Sequence, residues 1–345
     1  MAKILYSVSG EGHGHATRSL AVISELQKKH EVIAMGSFKS YTVLKEHVVT
    51  TYRIPGFSLS RRKNRISYIK TALTNTQMLL TETKDIWKIR KIITDEKPDI
   101  IITDFEPFIC RFAKKIPVFS IDNQQLIRYG KFPLFTTQVS NYLFARNLIT
   151  LYYARLTYSF ATYFAPIALT KNSPITQIGA IIRPEVLKIK PTKKDYIVVY
   201  VRSEESAKIL SILTQLPQTF HVFGTKAPSK GNVKTHGEFS NDFLTYLANA
   251  KAVICTAGLS LISEALYLQK PIFAIPERQD FEQYFNAFQL QLNNYGKFGY
   301  LHKLKVADIS AFLENLGTFQ KPNINPNGAT EVADHINAYI KQKVK

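Results

Sequence analysis

The chain has 345 residues, and 45% of them are hydrophobic and 12% aromatic, a composition that excludes an intrinsically disordered protein. This length exceeds what one hydrophobic core comfortably fills, so two domains are expected. The formal net charge of +19 is the unusual property, and it favours polyanionic partners such as nucleic acid, an anionic membrane surface or phosphorylated substrates.

The first half of the chain alternates strand and helix patterns. In chain order the strand candidates are KILYSVS, EVIAMGS, PDIIITD and IPVFSID. The segments HATRSLAVISELQKK and KDIWKIRKIITDEK carry apolar residues at helical spacing. Strands that are apolar on both faces and alternate with helices predict a parallel, doubly wound sheet.

The second half repeats the alternation after a stretch that is rich in proline, glycine and lysine. Its strand candidates are DYIVVYV, TFHVFG, AVICTAG and PIFAIP, with helix candidates between them and an amphipathic helix at the end of the chain. The predicted fold class is α/β, with two doubly wound Rossmann-like domains facing a cleft. We expect an N-terminal domain over residues 1–166, a linker over 167–184, a C-terminal domain over 185–326 and a terminal helix over 327–345.

Two further features suggest where the protein resides. Cys110 and Cys255 each lie in an apolar stretch, which predicts buried, reduced thiols and no disulfide. A strand pattern begins at the first residues without a secretory leader, and no uncharged apolar run is long enough to span a membrane. We therefore expect a cytoplasmic protein. Peripheral attachment to the inner face of the cell membrane is an alternative that these features allow.

The loop SGEGHGH leaves the first predicted strand. Ligands of open parallel sheets bind at the carboxyl ends of the strands, so this loop should meet Asp104, which ends PDIIITD. Gly10, Gly12 and Gly14 would permit positive φ and close approach to a ligand. His15, at the start of the next helix, can accept a proton from a hydroxyl while Asp104 fixes its tautomer.

Simpler interpretations of this loop stay open. A glycine-rich first turn can bind phosphate or merely form a tight turn, and a histidine beside an aspartate can be structural. His13 and His15 have the spacing of a metal-binding pair, but no Cys or Asp cluster accompanies them, so no metal is expected. We expect no catalytic role for His13.

The C-terminal half carries a longer pattern, VICTAGLSLISEAL followed by KPIFAIPERQDFEQYFNA. The amides of Leu259 and Ser260 follow a turn at Gly258, and such a helix start favours a phosphate. Glu264, one turn further on, suits a ribose diol. Asp280 is expected to cap the last helix of the pattern. The turn lacks the GxGxxG spacing of a dinucleotide site.

Together, GEGHGHATRS and TAGLSLISEAL…KPIFAIP…DFEQYFNA resemble the motifs of GT-B glycosyltransferases. The resemblance is to the family that contains the lipid II-forming N-acetylglucosaminyltransferase and its uncharacterised single-chain relatives. It spans both predicted domains, with the motifs in the expected order. It implies that the N-terminal domain binds the acceptor and the C-terminal domain the nucleotide sugar. Nucleotide-sugar hydrolases of the same fold share a GxGHxxR loop.

The resemblance also implies individual roles. His15 corresponds to the loop histidine that serves as general base on the acceptor hydroxyl, with Asp104 as its partner. The amides after Gly258 would hold the donor diphosphate, at Leu259 and Ser260, and Glu264 would hold the ribose.

Further roles come from the resemblance alone. The segment HGEFSND corresponds to the one that reads the nucleotide base, which makes Phe239 the candidate there. Arg183 corresponds to a residue at the diphosphate, and Glu282 and Gln283 to paired polar residues at the donor-sugar hydroxyls. Where relatives have a glycine-rich loop this chain has YVRSEES, in which Ser203 can still donate to phosphate.

The reaction implied is transfer of a hexose or N-acetylhexosamine from a nucleoside-diphosphate sugar, with UDP as the nucleotide, to an acceptor hydroxyl with inversion. A helix dipole and an arginine neutralise the leaving diphosphate, so no metal is required, and the nucleotide sugar is a substrate and not a cofactor. The expected acceptor is a lipid-linked molecule or another cell-envelope glycan.

Residues 47–81 and 123–184 contain no carboxylate, which suits an anionic membrane surface. The alternative is that these charges only solvate a surface and the nearby aromatic residues only build a core.

Three rival functions differ in class. A nucleotide-sugar hydrolase or epimerase would use the same residues without an acceptor. A nucleic-acid-binding protein would account for the charge, but no RRM, KH or zinc-finger signature is present, so no specific nucleic acid is expected. A catalytically inactive sugar-nucleotide sensor is the third.

Overall fold

The computed structural model describes the chain except for residues 11, 58–59, 61–65, 68–69, 72, 75–82, 107, 154, 202–205, 238–241 and 344–345. The chain divides into two compact units. The first consists of Met1–Ser60, Ser67–Arg183 and Asn325–Lys345, and the second is built mainly of Pro184–Ile324.

Each unit is organised around one parallel sheet. The first sheet contains β1 (Lys3–Val8), β2 (Glu31–Gly36), β3 (Thr51–Arg53), β4 (Ile100–Asp104), β5 (Val118–Asp122), β6 (Tyr158–Thr162) and β7 (Ile175–Ile178). The second contains β8 (Ile197–Tyr200), β9 (Phe220–Phe223), β10 (Val233–Thr235), β11 (Ala252–Cys255), β12 (Ile272–Ala274) and β13 (Gly296–Phe298).

Helices connect these strands. In the first unit they are α1 (His13–Leu26), α2 (Phe38–Lys45), α3 (Thr83–Glu96), α4 (Ile109–Phe112), α5 (Gln125–Tyr129) and α6 (Val139–Tyr152). In the second they are α7 (Pro184–Leu187), α8 (Ser206–Leu213), α9 (Phe243–Asn249), α10 (Leu259–Tyr267), α11 (Phe281–Leu292) and α12 (Val306–Glu314). The last helix, α13 (Gly328–Lys343), returns to the first unit. No helix in the described part of the chain is long and apolar enough to cross a membrane.

Both sheets are doubly wound, which confirms the predicted fold class. The strand order is β3-β2-β1-β4-β5-β6-β7 in the first sheet and β10-β9-β8-β11-β12-β13 in the second. The order therefore reverses between β1 and β4 and again between β8 and β11. In open α/β sheets such a reversal opens a crevice at the carboxyl ends of the two strands, where ligands bind.

The terminal helix completes the core of the first unit. Val332 and Ile336 of α13 are fully buried in the same cluster as Ile4 and Ile102 of the central strands. The Tyr339 ring meets that of Phe119 edge to face, with centroids 5.0 Å apart. Burial of two aliphatic side chains and a ring contributes several kcal/mol, roughly 1.5–3 per residue, so this helix is an integral part of the unit.

The predicted linker over 167–184 is corrected by the structure. This segment contains β7, whose Ser159↔Ile175 and Thr162↔Ile178 registers with β6 make it the edge strand of the first sheet. Its proline, glycine and lysine content is typical of a linker, but pairing with β6 outweighs that composition. The boundary between the two units lies directly after Arg183.

Candidate active site

The crevice of the first sheet brings together the two residues that the sequence singled out. β1 and β4 are paired, with Val8 opposite Asp104, so the loop after β1 starts beside the end of β4. That loop leads directly into α1, which carries His15 in its first turn. Both side chains therefore reach one edge of the sheet.

The start of α1 differs in detail from the prediction. The helix begins at His13, two residues before the predicted segment HATRSLAVISELQKK, and Gly12 is its N-cap with φ of 78°. This left-handed conformation is one that glycine adopts without strain. Gly14 lies inside the first turn, and only Gly12 of the three loop glycines has positive φ.

Gly10 packs closely against a neighbouring turn. A Cβ at Gly10 would lie 2.5 Å from Ser37 Oγ and 2.7 Å from the Ser37 carbonyl oxygen. The missing side chain thus allows the loop to pack against the turn before α2.

His15 and Asp104 form a hydrogen-bonded pair. His15 Nδ1 lies 2.7 Å from Asp104 Oδ1, and the two side chains are 14% and 0% exposed. Burial alone would raise the pKa of Asp104, but the Arg18 guanidinium and His15 hold it at about 2. The ionised carboxylate can only accept, so its hydrogen bond to His15 is made by the tautomer with the proton on Nδ1, which leaves the ring lone pair on Nε2.

Arg18 is the central residue that sequence reasoning missed. Its side chain is 5% exposed, and its Nε donates to Asp104 Oδ2 at 2.7 Å. A second nitrogen, NH1, donates to Asn123 Oδ1 at 3.1 Å, and NH2 donates to Asp104 Oδ1. The Ser19 hydroxyl also donates to Asp104 Oδ2 at 3.0 Å. The signal was present, because Arg18 is the arginine of the GxGHxxR loop.

Asp104 is thereby held by donors on both oxygens. NH2 of Arg18 also lies 2.9 Å from His15 Nδ1, so the guanidinium contacts both members of the pair. Charge-assisted hydrogen bonds of this kind are about twice as strong as neutral ones. The arrangement fixes the carboxylate, and through it the orientation of the imidazole.

Phe105 packs against the other face of the site. Its ring is nearly parallel to that of His15, with centroids 6.1 Å apart and planes at 11°. The residue has φ of 53°, a left-handed conformation that costs a bulky side chain about 1–3 kcal/mol. The Phe105 amide donates to the Tyr153 hydroxyl at 2.9 Å, which helps to hold this strained backbone.

Two more buried carboxyl groups lie near this edge. Glu106 accepts from the amides of Phe108 and Ile109 at 3.0 and 2.8 Å, so it caps the short helix α4. Burial raises the pKa of Glu106 to about 7 and that of Asp122 to about 6. Within the described part of the chain, no group of three His, Cys, Asp or Glu side chains is placed to hold a metal ion.

The second unit presents a helix start at its own strand reversal. β11 leads through a short turn to Gly258, the N-cap of α10, which makes no side-chain cap hydrogen bond. A Cβ at Gly258 would meet no described heavy atom within 4 Å. The helix start at Gly258 is therefore not crowded by described atoms, as an anion-binding helix start requires.

A buried asparagine supports this helix start. Asn286 of α11 donates from Nδ2 to the Ala257 carbonyl at 3.0 Å, which fixes the turn before Gly258. Sequence reasoning assigned no role to Asn286. Glu264 is 3% exposed on α10.

The first turn of α11 is organised by Asp280. Its side chain accepts from the Gln283 amide at 3.1 Å, which confirms the predicted N-cap. Gln283 Nε2 also donates to Asp280 Oδ2, and its Oε1 accepts from the Glu277 amide at 3.0 Å. Both polar groups of Gln283 thus bind other parts of the protein, whereas the partly exposed Glu282 lies beside it in the same turn.

Ser203, Phe239 and Arg183 are the other predicted site residues. Ser203 and Phe239 lie outside the described residues. Arg183 is half-buried at the end of the first unit's main segment, directly before α7.

The two doubly wound parallel sheets match the GT-B class of glycosyltransferase, with a His–Asp pair at the strand reversal of the first sheet and the N-terminus of α10 at that of the second. A family model described as glycosyl transferase family 1 matches residues 2–317, and the chain belongs to this family. An uncharacterized glycosyltransferase of Methanosarcina acetivorans is 24% identical over 327 residues, which covers 86% of this chain and 85% of the relative.

Solved structures of other glycosyltransferases have a fold similar to that of this chain. MurG of Acinetobacter baumannii is 16% identical with a TM-score of 0.62, and the match covers 98% of this chain and 100% of that one. UGT2 of Phytolacca americana, complexed with UDP-2fluoro-glucose and pterostilbene, is 12% identical with a TM-score of 0.65. That match covers 98% of this chain and 93% of UGT2.

Proposed function

We propose that this glycosyltransferase moves a hexose or N-acetylhexosamine from a UDP-sugar to an acceptor hydroxyl, with inversion and without a metal ion. The observation that carries the proposal is the hydrogen bond between His15 Nδ1 and Asp104 Oδ1, at the strand reversal of the first sheet. A neutral imidazole held in this tautomer by an ionised carboxylate is poised to act as a general base.

The base acts on the acceptor. His15 Nε2 accepts the hydroxyl proton while the acceptor oxygen attacks the anomeric carbon from the face opposite the leaving diphosphate. The configuration at that carbon is therefore inverted. Asp104 stabilises the imidazolium that forms, and Arg18 keeps the carboxylate in place through its bond to Oδ2.

The donor nucleotide binds the second unit in this proposal. The amides of Leu259 and Ser260 and the dipole of α10 stabilise the negative charge of the departing diphosphate, which is why no metal is needed. Glu264 binds the ribose. UDP is proposed as the nucleotide because the similar UGT2 was solved with a UDP-sugar.

Other donor contacts follow the family resemblance. Ser203 and Arg183 add to the diphosphate site, and Phe239 lies at the base. For the donor sugar we assign the direct contact to Glu282, because the amide group of Gln283 is bonded to Asp280 and to the Glu277 amide. Gln283 then holds the turn that presents Glu282.

The acceptor is proposed to be lipid-linked and to be reached at the inner face of the cell membrane. The solvent-facing side of α6 and the segment before it expose Phe135, Val139, Leu143 and Leu151. Arg146 is exposed on the same helix, in a stretch without a carboxylate. An apolar helix face with basic residues suits the boundary between lipid headgroups and acyl chains.

The proposal is tested by incubating the protein with UDP-, GDP- and dTDP-sugars, each with and without a lipid extract of cell envelopes. The expected result is release of UDP that depends on the extract, together with a glycosylated lipid whose new bond has inverted anomeric configuration by NMR. Release that is equal without any acceptor would instead identify a nucleotide-sugar hydrolase.

A further inference from the structure

A cavity of about 280 Å³ lies in the first unit, away from the residues of the candidate active site. It opens at the start of β5 and β6, where Val118 begins one strand and Thr157 precedes the other. Because the strands are parallel, their amino ends share one edge of the sheet and their carboxyl ends the opposite one. His15 and Asp104 are at the carboxyl edge, so the cavity is at the other.

Two hydrogen bonds, one between backbone groups and one to a side chain, join the strand starts that line this cavity. The Thr157 amide donates to the Val118 carbonyl at 2.8 Å, and the Val118 amide donates to Thr157 Oγ1 at 3.0 Å. On one side the wall is the last turn of α13, which Tyr339 anchors through its edge-to-face contact with Phe119. The concave shape is therefore made by paired strands and a docked helix.

The lining of the cavity is strongly basic. Of the twelve described residues that line it, four are cationic and none carries a carboxylate side chain. The cations come from three separate parts of the chain, namely Lys114 and Lys115 before β5, Arg155 before β6, and Lys343 at the end of α13. Like charges gathered in a concave site focus the potential and attract a counter-ion of several charges.

Two of these cations have distinctive local geometry. Lys343 Nζ lies 5.3 Å from the centroid of the Tyr339 ring, which also lines the cavity. Lys114 has φ of 46°, a left-handed conformation uncommon for lysine. The chain thus turns sharply at the residue that presents the first cation.

A phosphate group matches this lining best. It offers several acceptor oxygens and up to two charges, an arginine fork binds it through paired hydrogen bonds, and lysines add point charges. The small volume suits one such group with a few attached atoms. We propose that this cavity, which we call the basic cavity, binds the phosphate group of a phosphorylated ligand, either a lipid headgroup or a soluble phosphate ester.

The test compares a cavity variant with a variant matched in charge. The cavity variant replaces the four cations by glutamine: Lys114→Gln, Lys115→Gln, Arg155→Gln and Lys343→Gln. The control replaces four exposed lysines of the same unit: Lys29→Gln, Lys45→Gln, Lys97→Gln and Lys171→Gln. All eight side chains are exposed, so both variants are expected to fold, which circular dichroism checks.

Two probes separate the sources of the phosphate. Inorganic phosphate is titrated calorimetrically at constant ionic strength, and vesicles of phosphatidylcholine with phosphatidylglycerol are compared with phosphatidylcholine alone by co-sedimentation. We expect the cavity variant to bind at least one probe about tenfold more weakly than the wild type, whereas the control stays within about twofold. Binding of inorganic phosphate assigns a soluble ligand, and binding of the anionic vesicles alone assigns a lipid headgroup.

Two results would overturn the proposal. One is binding of neither probe by the wild type, and the other is an equal loss in both variants, which would mean attraction by net charge alone. Neither readout involves sugar transfer, so the outcome does not depend on the proposed function.

Discussion

Arg18 and Asp104 are joined by two hydrogen bonds inside the first unit, one from Nε to Oδ2 at 2.7 Å and one from NH2 to Oδ1. Their side chains are 5% and 0% exposed. A buried ion pair of this kind is costly to break, because removing one partner leaves the other charge buried without compensation. In this protein Asp104 is also hydrogen-bonded to His15, the residue that we propose as the base.

The first prediction concerns the free energy that couples these two residues. Asp104→Asn and Arg18→Met should each lower the unfolding free energy by about 3–5 kcal/mol, whereas the double variant should cost clearly less than their sum. Trp87, the one tryptophan of the chain, lies on α3 of the first unit, so its fluorescence during urea unfolding reports this unit.

The control for that cycle is the exposed pair of Lys91 and Asp95 on α3, whose side chains are 2.9 Å apart and 76% and 55% exposed. Lys91→Met and Asp95→Asn should show a coupling of only about 0.3–0.5 kcal/mol. If the cycle of Arg18 and Asp104 gave a coupling as small as this surface pair, the role of Arg18 in holding the carboxylate would be wrong.

The second prediction contrasts two glycines. Gly10→Ala places a methyl group against Ser37 and should destabilise the first unit by about 1–3 kcal/mol, read from Trp87 fluorescence. Gly258→Ala places a methyl group in open space at φ of −74°, so the melting temperature should hardly change. The same methyl group should weaken UDP binding in calorimetry, because it stands beside the first amides of α10.

Either half of this contrast can fail. UDP affinity that is unchanged in Gly258→Ala would remove the α10 helix start from the donor site. An unaltered unfolding midpoint in Gly10→Ala would show that the loop does not depend on its close approach to Ser37.

The third prediction concerns stability and pH. Burial raises the pKa of Glu106 from an ordinary value of 4.5 to about 7, so the folded state binds this proton more tightly than the unfolded state. The resulting stabilisation is complete below about pH 4.5 and is lost as the pH rises through about 7. The urea midpoint of Trp87 fluorescence should therefore be higher at about pH 5 than at about pH 8.

The Glu106→Gln variant isolates this effect. At about pH 5 it should be less stable than the wild type by about 1–2 kcal/mol, since a Gln side chain cannot accept from both the Phe108 and Ile109 amides, and its stability should change less between the two pH values. The exposed Glu46→Gln serves as control and should keep the pH dependence of the wild type. An identical pH dependence in Glu106→Gln would refute the assignment.

Much of the fold follows from sequence pattern, for identifiable reasons. The strands β1, β4, β8 and β11 are continuous apolar runs, and α1, α10 and α13 have apolar residues at helical spacing, so local pattern and final structure agree. The short strands β3, β10 and β13 have three residues each, too few to show a period. β7 was assigned to a linker because only its pairing with β6 makes it a strand.

The candidate site was predictable in part. His15 and Asp104 could be brought together because the ends of parallel strands share an edge, a rule that needs no coordinates. Arg18 could not be assigned in that way. The pattern of α1 places Arg18 on a helix but does not show that its side chain is buried. Its burial depends on Asp104 and Asn123, which are distant in sequence and accept hydrogen bonds from the guanidinium.

Gln283 illustrates the opposite case. Sequence resemblance predicts a contact with the donor sugar beside Glu282, whereas the bond of its amide group to the Asp280 cap of α11 comes from the structure alone. A polar residue at the start of a helix serves either a ligand or the helix itself, and only the hydrogen bonds distinguish the two.

The most direct test of the central claim is the rate of acceptor-dependent UDP release by the wild type, His15→Ala and His13→Ala, measured with a donor and lipid extract that support turnover. Loss of a positioned general base lowers such a rate by about 10²–10⁴-fold. We predict that loss for His15→Ala, with UDP affinity retained, and near wild-type turnover for His13→Ala. Wild-type turnover in His15→Ala would contradict the assignment of this histidine as the base.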